Sequence, residues 1–185
     1  MITVQIDDMI LDLRTNPALF SPNQADIGTL AMLSCISLSP SDKLLDLGCG
    51  YGLVGIYAAK IIGDHHVTMV DVDPIAVRVA KQNAANNRVQ NIRILQSDGF
   101  SNIDDTDYTL ILSNPPYHTD FSIAKHFIEK GFNRLALGGK MLMVTKRKNW
   151  YKNKLSAIFG GVQIKEINDY FVFTAEKRST RYGKS

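Results

Sequence analysis

The stretch LLDLGCGYGLVG, residues 44–55, constrains the fold more than any other part of the chain. An apolar run of strand length leads into Gly50, Gly52 and Gly55, spaced G-x-G-x-x-G, and a helical pattern begins at Leu53. Glycines at such a junction let the backbone turn sharply and approach a nucleotide, while the helix packs close on its strand. A strand–loop–helix unit of this kind reaches its next parallel strand through a crossover, so the whole chain should read as alternating strands and helices.

It does. Residues 43–47 read as a strand and 53–62 as a helix, with further strands over 66–70, 92–96 and 108–113. Pro74 suits the first position of a helix running to Asn86, with Asp73 as its N-cap. A helix over 120–135, a Gly138-Gly139 turn, a strand over 140–145 and a shorter helix over 151–159 come next. Strands over 162–167 and 170–175 form a hairpin turned at Asn168-Asp169. An amphipathic helix over 24–36 precedes the first strand. The prediction is an α/β fold: a doubly wound, mostly parallel seven-stranded sheet ending in an antiparallel hairpin. No repeat, low-complexity tract or linker divides the chain. Residues 1–185 therefore read as one domain, with a lead-in and helix over 1–40, a catalytic core over 41–177 and a basic tail over 178–185.

Acids mark the carboxyl ends of these strands. Asp46 stands immediately before the glycines, where it would repel a pyrophosphate but suit a cofactor carrying a cationic amino group, such as S-adenosylmethionine. Asp71 ends the second strand, 21 residues after Gly50, at the distance where an acid accepts hydrogen bonds from ribose hydroxyls. Asp98, in QSDGF, is placed to read an adenine amine, although an Asp before Gly99 also suits a plain turn. All converge on the crevice where open α/β sheets bind ligands.

Composition narrows the classes. The chain is 45% hydrophobic and 21% charged, which fits a soluble globular protein. The N-terminus has acids and no basic leader, and no apolar run reaches membrane-spanning length. Cys35 and Cys49 are too few for a disulfide framework and lack metal-ligand spacing, as do His65, His66, His118 and His126, so no metal is expected and the cytoplasm is the expected compartment. Charge is divided: residues 1–124 hold 7 Lys/Arg against 14 Asp/Glu, and residues 125–185 hold 14 against 4. Such asymmetry suggests a polyanion partner.

Taken together, DLGCGYG, VDVD, SDGF and NPPY resemble the successive motifs of class I S-adenosylmethionine-dependent methyltransferases. More narrowly, FSPNQADIGT, SNPPYHTDF and VFTAEK resemble the small-domain branch of the ribosomal-RNA small-subunit methyltransferase C family, which methylates the N2 amine of guanine. Members can carry an extra N-terminal domain for which 185 residues leave no room. The resemblance implies that Asp46, Gly48, Gly50 and Gly52 line the methionine end of the cofactor. Asp71 would hold the ribose and Asp98 the adenine, with Phe20 and Ser21 closing over the top.

The resemblance also gives SNPPYH, residues 113–118, a chemical role. A purine's exocyclic amine is a weak nucleophile because its lone pair is delocalised. The side-chain carbonyl of Asn114 and the backbone carbonyl of Pro115 can hold its two hydrogens and aim the lone pair, with the prolines supplying rigidity. Tyr117 can stack on a base taken out of its helix, with His118 beside it. Lys146, Arg147 and Lys148, in KRKNWYKNK, suit a backbone-tracking RNA surface, and ribosomal RNA or the small ribosomal subunit is the implied partner. A protein glutamine amide, adenine N6, a nicotinamide oxidoreductase and a silent RNA-binding module are the competing readings. Asp46 and NPPY weigh against the oxidoreductase, and the intact acids together with NPPY weigh against the silent module.

Overall fold

Near-continuous apolar runs in the parallel strands bury both faces of one sheet in the computed structural model, which describes residues 1–116 and 120–183. The elements are β1 (Ile2–Ile6), β2 (Met9–Leu13), α1 (Ile27–Leu33), β3 (Leu44–Leu47), α2 (Leu53–Ile62), β4 (Val67–Asp71), α3 (Pro74–Asn86) and β5 (Arg93–Gln96). They continue as β6 (Tyr108–Ser113), α4 (Ser122–Arg134), β7 (Leu135–Thr145), α5 (Lys148–Phe159), β8 (Gln163–Ile167) and β9 (Tyr170–Glu176). The main sheet has seven strands in the order β5-β4-β3-β6-β7-β9-β8. Strands β3 to β7 pair in parallel, and β9 joins β7 and β8 antiparallel.

Side chains from α1, α2 and α3 pack on one face of the sheet with Leu44, Leu110 and Leu142. Those from α4 and α5 pack on the other with Leu45, Leu47 and Ile111. The doubly wound sheet and its C-terminal hairpin are as expected. Asn168 and Asp169 both take left-handed backbone angles (φ 50° and 63°), the geometry of a two-residue hairpin turn.

Four local expectations need correction. First, residues 2–13 form a hairpin, β1 paired with β2, where the sequence pattern indicates no strand. Its turn, Asp7-Asp8, has Asp7 at φ 50°. Second, the Gly138-Gly139 turn lies inside β7, which starts at Leu135 opposite Tyr108. The register then jumps to Leu110 opposite Lys140, absorbing the extra residues. Third, α5 begins at Lys148, one turn earlier than expected. Fourth, α1 is shorter than the predicted 24–36, because Asp26 caps it by accepting from Thr29 N at 3.0 Å.

The hairpin anchors the lead-in segment. Asn83, fully buried on α3, accepts from Arg14 N at 2.7 Å and donates to Arg14 O at 2.9 Å and Tyr51 O at 2.8 Å. One amide thus ties the chain after β2 to α3 and to the glycine loop. Asn87 adds a bond to Asp12 O at 2.9 Å. These bonds hold the segment that runs on through Phe20 above the sheet's carboxyl edge.

Candidate active site

Chain order reverses between β3 and β6, and a cavity of about 300 Å³ opens at that edge of the sheet. Its wall includes Asp46, Gly48, Gly50, Asp71, Asp98, Asn114, Pro115 and Phe20. Parallel strands deliver all their carboxyl ends to the same side, which is why residues so far apart in sequence meet here.

The glycine loop is pinned from beneath. Gly48 N and Cys49 N both donate to Val70 O at 2.9 Å. Asp71 accepts from Gly50 N at 2.8 Å and from Asp73 N at 3.0 Å, so it braces the loop as well as facing the cavity. Gly48 and Gly50 take φ 74° and 55°, backbone that side chains disfavour, and open space lies where a Cβ would project. Gly52 caps α2 and stands behind the loop, outside the cavity wall, packed near Ile56 and Ala80. Gly55 allows close packing: a Cβ there would lie 2.1 Å from Met69 Sδ.

Asp46 is buried and accepts from Gly55 N at 3.2 Å. Burial pushes its carboxyl up to about 7, with Asp71 adding to the rise and the Gly55 bond opposing it. The same burial, with Asp46 and Asp71 nearby, pushes the Cys49 thiol well above its ordinary value, so it remains a neutral wall group. Asp98 is exposed at the rim.

At the opposite wall, Ser113 Oγ donates to Leu47 O at 2.9 Å and fixes the end of β6 against β3. Asn114 is next in the chain. Its amide nitrogen donates to Asp26 Oδ1 at 2.8 Å and to Thr29 Oγ1 at 3.0 Å. Its Oδ1 is buried and has no hydrogen-bond partner among the described residues. A buried carbonyl left unpaired is costly unless something else satisfies it. Pro115 is buried directly beside it.

Asp26, not among the residues expected at the site, lines the same wall. It is 7% exposed, and Tyr170 OH also reaches its Oδ2 at 3.5 Å. Its available signal was the N-cap pattern D-I-G-T within FSPNQADIGT, the stretch that carries part of the family resemblance. Tyr51, also on the cavity wall, has its phenol pushed up to about 12 by burial and by Asp26.

Of the other predicted residues, Phe20 stands half-exposed on the wall, whereas Ser21 lies off it. Tyr117 and His118 lie outside the described residues. Lys146, Arg147 and Lys148 are exposed where β7 passes into α5, away from the cavity wall. Their cationic groups lie over the rings of Tyr170, Phe121 and Phe171 at 4.8, 5.1 and 4.9 Å. Trp150 stacks on Phe121 at 4.3 Å and Tyr151 is buried, so the aromatics of this segment pack against the protein while its charges face outward. Among the described residues no group of three or more His, Cys, Asp or Glu could hold a metal. No helix among them is long and apolar enough to cross a membrane.

A sheet of this order, with a glycine loop after β3, an acid ending β4 and a proline-locked amide after β6, defines a Rossmann-like methyltransferase. Residues 10–174 match the family model described as Methyltransferase small domain, and the chain belongs to that family. A Bacillus subtilis relative, YbxB, is 29% identical over 88% of this chain and 84% of its own length. Ribosomal RNA small subunit methyltransferase C of Hamiltonella defensa is 33% identical over 90% of this chain and 50% of its own. Among solved structures, the T. thermophilus 16S rRNA N2 methyltransferase RsmC, in complex with AdoMet and guanosine, superposes with a TM-score of 0.84. It is 25% identical, over 96% of this chain and 50% of that one. This chain thus spans about half the length of the methyltransferase C relatives it matches.

Proposed function

We propose that this chain binds S-adenosylmethionine and transfers its methyl group to an exocyclic amine, the N2 amine of a guanine in ribosomal RNA. The observation that carries the reading is the buried, unpartnered Oδ1 of Asn114, a residue on the wall of the same cavity as the glycine loop. An amine N–H is the partner that oxygen lacks. The relatives named for rRNA methylation and the neighbour solved with AdoMet and guanosine support the choice of cofactor and substrate.

The donor set fits the cofactor. Asp46 offers a carboxylate to a cationic amino group, the open glycine backbone admits the chain of the cofactor, and Asp71 and Asp98 accept from ribose and adenine. When bound, the cofactor supplies an electrophilic methyl on a sulfonium. Asn114 Oδ1 and the Pro115 carbonyl accept the amine's two hydrogens and turn its lone pair toward that methyl. The amine nitrogen would take up the methyl that the sulfonium supplies, S-adenosylhomocysteine would leave, and the surplus proton of the alkylated nitrogen would pass to water. Rigidity and aim, rather than a strong base, supply the catalysis.

Cofactor binding should release a proton. In the free protein Asp46 stays protonated up to about pH 7, whereas an unfolded Asp ionises near 3.8. Its burial therefore lowers stability as pH rises from about 4 to about 7. An ammonium held beside it favours the carboxylate, so affinity should climb with pH to about 7 and then level off. Calorimetry in buffers of different ionisation enthalpy should detect most of a proton released at pH 6 and almost none at pH 8. Equal release at both pH values would remove Asp46 from the cofactor site.

The exposed basic segment suits RNA phosphates. Replacing Lys146, Arg147 and Lys148 together by alanine should flatten the salt dependence of RNA binding, by about 0.7–0.9 in slope for each phosphate no longer neutralised. Unchanged slopes would move the interface elsewhere. To separate RNA from a protein amide as substrate, labelled cofactor can be incubated with small ribosomal subunits and the label traced after nuclease treatment. Label that becomes acid-soluble supports RNA; label that remains with protein would overturn the substrate assignment.

A further inference from the structure

We propose that Asp26 is a positioning residue that sets the polarity of the active site: it holds the Asn114 amide with its oxygen toward the cavity, so the site accepts hydrogens and selects amines. The inference rests on the methyl-transfer reading above and extends it to a residue 88 positions from Asn114.

An asparagine amide can present either its oxygen or its nitrogen after a half turn, so its neighbours must choose. Here Asp26 Oδ1 gathers three donors: Asn114 Nδ2 at 2.8 Å, Thr29 N at 3.0 Å and Thr29 Oγ1 at 3.5 Å. A carboxylate only accepts, so Asn114 can turn only its nitrogen toward it. The third contact matters because a hydroxyl can donate or accept. Since Thr29 Oγ1 gives its proton to Asp26, a lone pair is left for Asn114 Nδ2 at 3.0 Å. Both amide hydrogens are thereby used on the protein side, and the oxygen alone is left without a partner among the described residues, on a side chain of the cavity wall. A nitrogen carrying hydrogens satisfies that oxygen. A ring nitrogen or carbonyl oxygen, with lone pairs only, would be repelled.

The test must separate this role from the capping of α1. Serine caps helices as well as aspartate but is too short to cap and reach Asn114 together. Asp26→Ser should therefore keep cofactor affinity within about threefold and cut kcat by roughly 10- to 100-fold. Asp26→Asn retains a carbonyl oxygen for the same donors and should restore kcat to within a few-fold of wild type. Thr29→Val, which leaves the cap in place, should cost several-fold in kcat. In an Asn114→Ala background, Asp26→Ser should add almost nothing, because its effect acts through that amide.

A readout independent of turnover comes from NMR of the Asn114 side-chain amide. Its two protons should exchange slowly in wild type and Asp26→Asn, and rapidly in Asp26→Ser. Should Asp26→Ser fail to fold, exchange and kcat in Thr29→Val decide the matter. A lowered Tm with unchanged kcat per folded molecule, protected amide protons in Asp26→Ser, or additive losses in the double variant would each overturn the proposal. If wild type methylates no amine yet the protection depends on Asp26, the methyl-transfer reading fails and the positioning role stands.

Discussion

Asn114→Ala is expected to slow methyl transfer by about 10²–10³-fold, the loss typical when one preorganised polar contact to a transition state is removed. Cofactor affinity should stay within a few-fold, because Asn114 is the proposed acceptor for the reacting amine and its amide bonds Asp26 and Thr29, not the glycine loop. The substitution also takes a donor from buried Asp26, which costs about 1–3 kcal/mol. Rates must therefore be compared well below the variant's Tm. Single-turnover measurements beside melting curves separate the two effects. Normal chemistry in a folded Asn114→Ala protein would remove the central residue of the mechanism.

The second large effect concerns Asp71. Its carboxylate braces the loop through Gly50 N and Asp73 N, and is the proposed acceptor for ribose hydroxyls. Hydrogen bonds to charged groups contribute about 1.5–3 kcal/mol each, so removing the brace and the ligand's acceptor together should weaken cofactor binding by at least about 100-fold. S-adenosylhomocysteine should raise the Tm of wild type by mass action and leave Asp71→Ala almost unmoved. NAD should shift neither. A clear NAD shift with no response to the homocysteine analogue would exclude the assigned cofactor.

These expectations rest on residues that differ in how far sequence alone discloses them. The cavity's acids were legible because parallel strands bring every carboxyl end to one edge, so an acid closing an apolar run must lie there. Asp46 and Asp71 obey that logic. Gly52 and Ser21 were near enough in sequence to be included and yet lie off the wall, since spacing along a loop does not say which way each residue faces. Asp26 was hidden for the opposite reason. Its cap pattern is local and visible, but its bond to Asn114 depends on how α1, packed against β7 and β9, brings its N-terminus to the chain that follows β6, which no local pattern encodes.

The same division runs through the fold. The βα units announced themselves by period and by glycine and proline punctuation. The β1–β2 hairpin did not: two acids at its turn and a mixed apolar pattern gave little sign of strands, and its stability comes from burying Val4, Leu11 and Leu13 and from Asn83 and Asn87 on α3. The early start of α5 shows the same override, with Trp150 stacked on Phe121 and Tyr151 buried within the helix's first turn.

The most direct test of the account is the identity of the methylated nucleoside. Small ribosomal subunits are incubated with the protein and isotopically labelled S-adenosylmethionine, the RNA is digested, and the nucleosides are separated by mass spectrometry. Label is expected in N2-methylguanosine with wild type and none above background with Asn114→Ala. Label in N6-methyladenosine, or equal N2-methylguanosine from the Asn114→Ala protein, would contradict it.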